Sequence, residues 1–169
     1  LKNITGMWLL EQCRKEWERE GRTYSYPDIV GMAGQSTFSS IVNPDHACFA
    51  NPSGMSKAIS TYCRETGQTL PANDADYIRC IFFSLANRYR EVLSMLKDIS
   101  PFEIEKLHVI GGGSKNSLLN QLTANAIGLP VVTGPSEATA IGNCMVQAKA
   151  AGLVADRWEM RKNVASSVA

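Results

Sequence analysis

The sequence lacks the features that would settle several function classes at once. No apolar run approaches the ~18–20 residues of a membrane span, so the composition predicts no membrane partner. Neither sign of charge dominates: 17 Lys and Arg balance 16 Asp and Glu, for a formal net charge of +1. That balance argues against a dedicated nucleic-acid or anionic-membrane surface. Histidine is scarce, and His46 and His108 stand in no metal-ligand spacing. The five cysteines, Cys13, Cys48, Cys63, Cys80 and Cys144, are odd in number and contain no C-x-x-C pair. Neither a disulfide framework nor a zinc site is supported, and reduced thiols in a cytoplasmic protein are the expectation. There is no internal repeat and no low-complexity tract, and the amphipathic opening leads us to expect no signal peptide.

What is present is a chain of 169 residues, 44% hydrophobic and 20% charged. That is enough for one domain with a real core. A start at Leu1 and an end at residues 164–169 read as those of a piece of a larger protein. The first half reads as helical. Residues 2–20 form a predicted helix with Ile4, Met7, Trp8, Leu10 and Trp17 on its apolar face and Gly21 as its stop. Tyr26-Pro27-Asp28 starts a short helix, and residues 37–42 alternate as a short strand would. Met55, Ala58, Ile59, Tyr62 and Cys63 mark a helix stopped by Gly67. Asn73 or Asp74 caps a long one whose stripe runs from Tyr77 to Leu96. Asp45 reads as a turn residue. Cys63 and Cys80 fall on these two consecutive helices. An antiparallel hairpin would let them face each other, which leaves a bond between them open against the default of free thiols.

The second half changes rhythm. Strand, helix, strand and helix follow at residues 107–110, 116–127, 131–133 and 136–152, and a short helix at 156–163. Its informative stretch is His108-Val109-Ile110-Gly111-Gly112-Gly113-Ser114-Lys115-Asn116. Glycines let a backbone approach a ligand closely or adopt positive φ. A helix start just beyond offers free N–H groups and the positive end of a dipole. Neither G-x-x-x-x-G-K-[ST] nor G-x-G-x-x-G is satisfied. From local pattern alone, a phosphate cradle and a simple tight turn both remain open.

Three blocks in order carry a resemblance. They are the glycine stretch with Leu118-Leu119-Asn120-Gln121; Ala124-Asn125-Ala126-Ile127-Gly128-Leu129-Pro130-Val131; and Glu137-Ala138-Thr139-Ala140-Ile141-Gly142-Asn143. Together they resemble the C-terminal half of the FGGY family of carbohydrate kinases. Residues 1–10, Phe49-Ala50-Asn51-Pro52, Cys63-Arg64-Glu65-Thr66 and residues 79–86 resemble the branch that acts on L-rhamnulose.

The resemblance implies an α/β fold, a ribonuclease-H-like (actin-like ATPase) C-terminal lobe with extra helices, spanning residues 1–169. It implies ATP and Mg2+ as cofactors, with Gly111, Gly112 and Gly113 passing under the nucleotide and Asn116 at the same helix start. Asn3 matches a position on the sugar side of the cleft, with a helix cap as its alternative. Glu11 falls where the family more often has glutamine on the ATP side, and an exposed helix carboxylate is the favoured reading of it. Glu137 is read as starting its helix rather than as catalytic.

The implied partners are a small sugar, ATP and the N-terminal lobe of the same protein. The activity implied for the whole protein is transfer of the ATP γ-phosphate to a ketose hydroxyl. Another ketose or polyol, or a noncatalytic actin-like module, is the alternative. The catalytic base expected for the family lies upstream of these residues, so the isolated chain is expected to be inactive.

Overall fold

The computed structural model describes residues 3–167. Leu1 and Lys2, which open the first of the rhamnulose-branch blocks, and Val168 and Ala169 lie outside the described residues. Seven α-helices, two short 3₁₀ turns and two short strands make up the regular structure described. The protein is mixed α/β, with its helical part first.

The first helix, α1 (Trp8–Arg19), starts later than the apolar spacing predicts. Residues 3–7 turn outside it, with Gly6 at φ +58° and the Thr5 backbone N–H bound by Asp45. Its buried face is Leu9, Leu10, Cys13 and Trp17, while Trp8 is largely exposed. Gly21 closes it at φ +81°. The Arg22 N–H then bonds back to the Trp17 carbonyl at 2.8 Å, the usual way a positive-φ glycine ends a helix.

The next helix, α2 (Tyr26–Gln35), is started by a capping box. Ser25 Oγ accepts from the Asp28 N–H at 3.3 Å, and Asp28 Oδ2 accepts from the Ser25 N–H at 2.9 Å. The bonds from Ser25 hold the Asp28 carboxyl below its ordinary pKa.

Residues 37–42 are not a strand. Their backbone groups are taken by side chains instead of a neighbouring strand. Gln68 Oε1 accepts from the Ile41 N–H and Gln68 Nε2 donates to the Ile41 carbonyl, both at 2.9 Å. Ser84 Oγ accepts from the Val42 N–H at 2.8 Å, and Arg79 Nε donates to the Phe38 carbonyl at 3.1 Å. The alternation is present, but a glutamine amide stands where a partner strand would.

The following helices are α3 (Met55–Glu65) and α4 (Asp74–Ile99). Asn73 is the cap of α4, its side chain accepting from the Asp76 N–H at 3.1 Å. Asp74 lies in the first turn, where Arg22 and Tyr24 donate to it. The stripe of α4 is the centre of the core: Ile78, Cys80, Ile81, Phe82 and Leu85 pack with Leu9, Trp17, Ile29, Phe49, Met55 and Ile59. Cys63 and Cys80 do face each other across α3 and α4. They are free thiols, not a disulfide. The neighbouring Cys63 sulfur, with burial, pushes the Cys80 thiol well above its ordinary range, and Cys80 in turn lowers Cys63.

The second half is a parallel pair, β1 (Leu107–Val109) with β2 (Val131–Thr133), register Leu107 to Val131. Between them runs α5 (Ser117–Ile127). It is ended by Gly128 in the left-handed conformation at φ +67°, the common glycine stop. It packs along α4 and places Leu119 in the core. Beyond β2 come α6 (Ala138–Ala150) and α7 (Arg157–Ser167). The half-buried residues of α6 are Ala138, Ile141, Met145 and Ala148, its apolar face, and none of its residues is fully buried. Among the described residues, no helix is long and apolar enough to cross a membrane.

Candidate functional site: the glycine turn and the cleft above it

The glycine triplet is a junction between β1 and α5. Gly111 takes φ +79°, and its N–H bonds to the Pro135 carbonyl at 3.0 Å. An L side chain resists that backbone angle. Residues Gly112–Lys115 then form one 3₁₀ turn. Only Gly111 is glycine for its backbone angle. A Cβ on Gly112 would meet nothing within 4 Å, and one on Gly113 would meet only Val109 Cγ1 at 3.9 Å. Neither needs to be glycine for the turn, and their missing side chains leave open space beside it.

Side chains lock the turn from below. Ser114 Oγ donates to the Gly111 carbonyl at 2.8 Å. Asn120 Nδ2, from α5, reaches back to the Ser114 and Gly113 carbonyls at 3.0 and 3.3 Å. The Asn120 role was not legible in sequence, where it stood simply as part of a helical block.

Asn116 caps α5. Its Oδ1 accepts from the Leu119 N–H at 3.0 Å, and that bond fixes which end of the amide is which. Nδ2 is then left sealed from solvent with no partner, on a residue only 2% exposed. A buried amide donor without an acceptor costs about 1–3 kcal/mol, so native proteins seldom keep one without use for it.

A cleft of about 890 Å³ opens at this turn. One wall is Gly112, Gly113, Lys115, Asn116, Ser117 and Leu119. The other comes from the helical half: Met7, Tyr26, Pro27, Val30 and Gly31. Tyr26 and Pro27 open α2 within its Ser25–Asp28 capping box. No sequence signal joined these residues to the glycines, since their proximity arises from α2 and α5 both packing on α4.

The other candidates lie elsewhere. Glu11 is outside the cleft lining, with its carboxylate held by Arg14 Nη1 through two bonds of 3.1 Å. Burial first, then the Glu11 charge, raises the pKa of Tyr26. Arg14 offsets the charge that made a carboxylate awkward there. Asn3 is exposed in the segment before α1, and it does not cap that helix, whose N-cap position is Met7. Glu137 occupies the N-cap position of α6 without a side-chain cap bond. The cleft lining contains no carboxylate, and no group of three or more His, Cys, Asp or Glu among the described residues could hold a metal ion. These residues do not fit the Mg2+ that the resemblance implies.

A smaller hollow of about 560 Å³ lies between β2, α6 and α7, bordered by His108, Val132, Met145 and Met160. It is mostly apolar, with Arg157 and Arg161 at its border, and it reaches Pro135, whose carbonyl accepts from the Gly111 N–H.

Residues 1–151 match the C-terminal domain of the FGGY family of carbohydrate kinases. The chain belongs to this family. Its relatives include a rhamnulokinase of Bacteroides thetaiotaomicron, 57% identical over 99% of this chain and 34% of the relative. A rhamnulokinase of Oceanobacillus iheyensis is 38% identical over 99% of the chain and 35% of the relative. One of Pectobacterium carotovorum is 44% identical over 92% of the chain and 31% of the relative. The chain thus spans about a third of the length of these curated relatives. Within the FGGY domain, the glycine turn and Asn116 fall in the matched region, as do both walls of the cleft.

Proposed function

We propose that residues 1–169 are the C-terminal, nucleotide-binding lobe of a rhamnulokinase, with a ribonuclease-H-like fold completed by the rest of the longer protein. The observation that carries the nucleotide reading is the glycine turn itself, open at Gly112 and Gly113 and lining a wide cleft. ATP suits the two walls. The apolar side of Tyr26, Pro27 and Val30 offers a surface for a flat base, and the glycine side lets the ribose and phosphates approach the backbone. Lys115 adds a positive charge at the same edge. Gly111 and Gly113 shape and floor the turn, and Gly112 is the nearest backbone contact.

Phosphoryl transfer depends on positioning and on charge stabilisation. This lobe supplies the first. Asn3 contributes to the sugar side, Glu11 remains a rim carboxylate neutralised by Arg14, and Mg2+ and the base belong with the other lobe. Closure of the two lobes would bring ATP and sugar together and exclude water. The acceptor is a hydroxyl of L-rhamnulose, giving the 1-phosphate, in the cytoplasm. The support for this sugar is the agreement of the relatives named above. The isolated chain lacks the base and is inactive.

Two measurements test this. The full-length protein should release ADP only when ketose is present, fastest with L-rhamnulose; no turnover with any ketose defeats the kinase reading. Gly112→Val should weaken ATP binding by about tenfold or more, equivalent to about 1.4 kcal/mol. The backbone there tolerates a side chain, so lost binding is not lost folding. Equal binding by both forms moves the nucleotide elsewhere.

A further inference from the structure

We infer that Asp45 is a positioning residue for the sugar side of the cleft, acting through Thr5 on the segment that carries Asn3. The inference rests on the reading of Asn3 given above.

Segment 3–7 has no regular structure of its own, and α1 begins without a side-chain cap. It links two places that matter. Asn3 stands at one end, and Met7, in the wall of the nucleotide cleft, at the other. Thr5, midway, is tied down twice by a residue 40 positions away. Its backbone N–H and its Oγ1 both donate to Asp45 Oδ1 at 3.0 Å. The second carboxylate oxygen, Oδ2, accepts from Arg88 Nε at 2.9 Å. Arg88 Nη1 donates to Glu91 at 2.8 Å, and Asn87 holds the other Glu91 oxygen at 2.9 Å.

The chain of bonds therefore runs from an irregular segment to α4, the helix at the centre of the core. The ion pair is mostly covered, with side-chain exposures of 14% for Arg88 and 20% for Asp45. Charge-assisted bonds of this kind fix geometry as well as adding energy. Asp45 thus sets how far Asn3 stands from the nucleotide wall. Small misplacements of a reacting group are costly to phosphoryl transfer, which needs its two substrates in register.

The test uses the full-length protein. Asp45→Ala should raise KM for the sugar by about tenfold or more while KM for ATP stays within about twofold. Thr5→Val keeps the side-chain shape and removes one donor, and should shift the sugar KM in the same direction by less. It carries the test if Asp45→Ala fails to fold. The double variant with Asn3→Ala should be no worse than the poorer single variant, because both changes act on one contact. Parallel rises in both KM values, a fall in kcat alone, or fully additive effects overturn the inference. A raised sugar KM in Asn3→Ala with no change in Asp45→Ala or Thr5→Val defeats it while leaving the reading of Asn3 intact. An unchanged sugar KM in Asn3→Ala defeats the reading of Asn3 and the inference with it.

Discussion

The helical half, α1 to α4, buries its apolar stripes upon itself, whereas the α/β half leaves most of its own in contact with water. The core cluster takes its members from residues 9–85, with Leu119 the single contribution from beyond. Past Leu93, Leu119 and Val154 are the only buried hydrophobic residues among those described. Phe102, Ile110, Val146, Leu153 and Trp158 are instead well exposed. The two strands each keep an unpaired edge among the described residues. The contrast teaches that the core rests almost wholly on one half, whereas the candidate cleft takes a wall from each. One half is a finished core. The other presents a glycine turn and a sheet edge suited to being completed by more of the protein, and is anchored to the first half through α5.

Breaking the finished half should cost most. Phe82 has no exposed surface. Phe82→Ala should therefore lower the unfolding free energy by about 3–5 kcal/mol. Urea denaturation measures this. A loss below about 1 kcal/mol, the size of an ordinary substitution, would mean the core is not where the structure puts it.

Backbone changes come next, and they allow the halves to be compared. Gly128 holds a left-handed C-cap. Forcing a side chain into it with Gly128→Ala should cost about 1–2 kcal/mol. Asn73 supplies the α4 cap bond. Removing it with Asn73→Ala should cost about 1 kcal/mol. If only Asn73→Ala registers in denaturation, the α/β half unfolds separately from the cooperative unit.

Acid sharpens the comparison further. Burial acts to raise the Asp45 pKa, but the Thr5 bonds and Arg88 outweigh it and hold it below its ordinary 3.8. A depressed folded pKa gives stability that is present above pH 3.8 and lost as pH falls through the folded value. Asp45→Asn should flatten that acid-side loss in a pH series of denaturation curves. The smallest effect is expected at Leu153→Ser. Leu153 is 77% exposed. Its loss should change stability by no more than about 0.5 kcal/mol in the same denaturation assay.

Much of the helical half was legible because its signals are local. The stripe from Tyr77 to Leu96, the Gly21 and Gly67 stops and the Asn73 cap each state their structure within a few residues. Residues 37–42 misled for the same reason: an alternating pattern says extended, but not which groups will take its hydrogen bonds. The glycine wall of the site was visible in residues 111–116. The opposite wall was not, because Tyr26, Pro27 and Val30 form an ordinary helix start until packing carries them there. Asp45 looked like a turn residue, and nothing near it in sequence pointed to Thr5 or Arg88.

By itself the sequence determined most of the elements, their stops and caps, and the family, all of which follow from short-range backbone chemistry and ordered motifs. Tertiary structure decided which stripe became core, which side of the glycines faces a cleft, and that an aspartate 40 residues away clamps the segment carrying Thr5. Those outcomes depend on α2, α5 and the 43–45 turn meeting α4. Packing between distant residues is set by shape and burial, which no local spacing encodes.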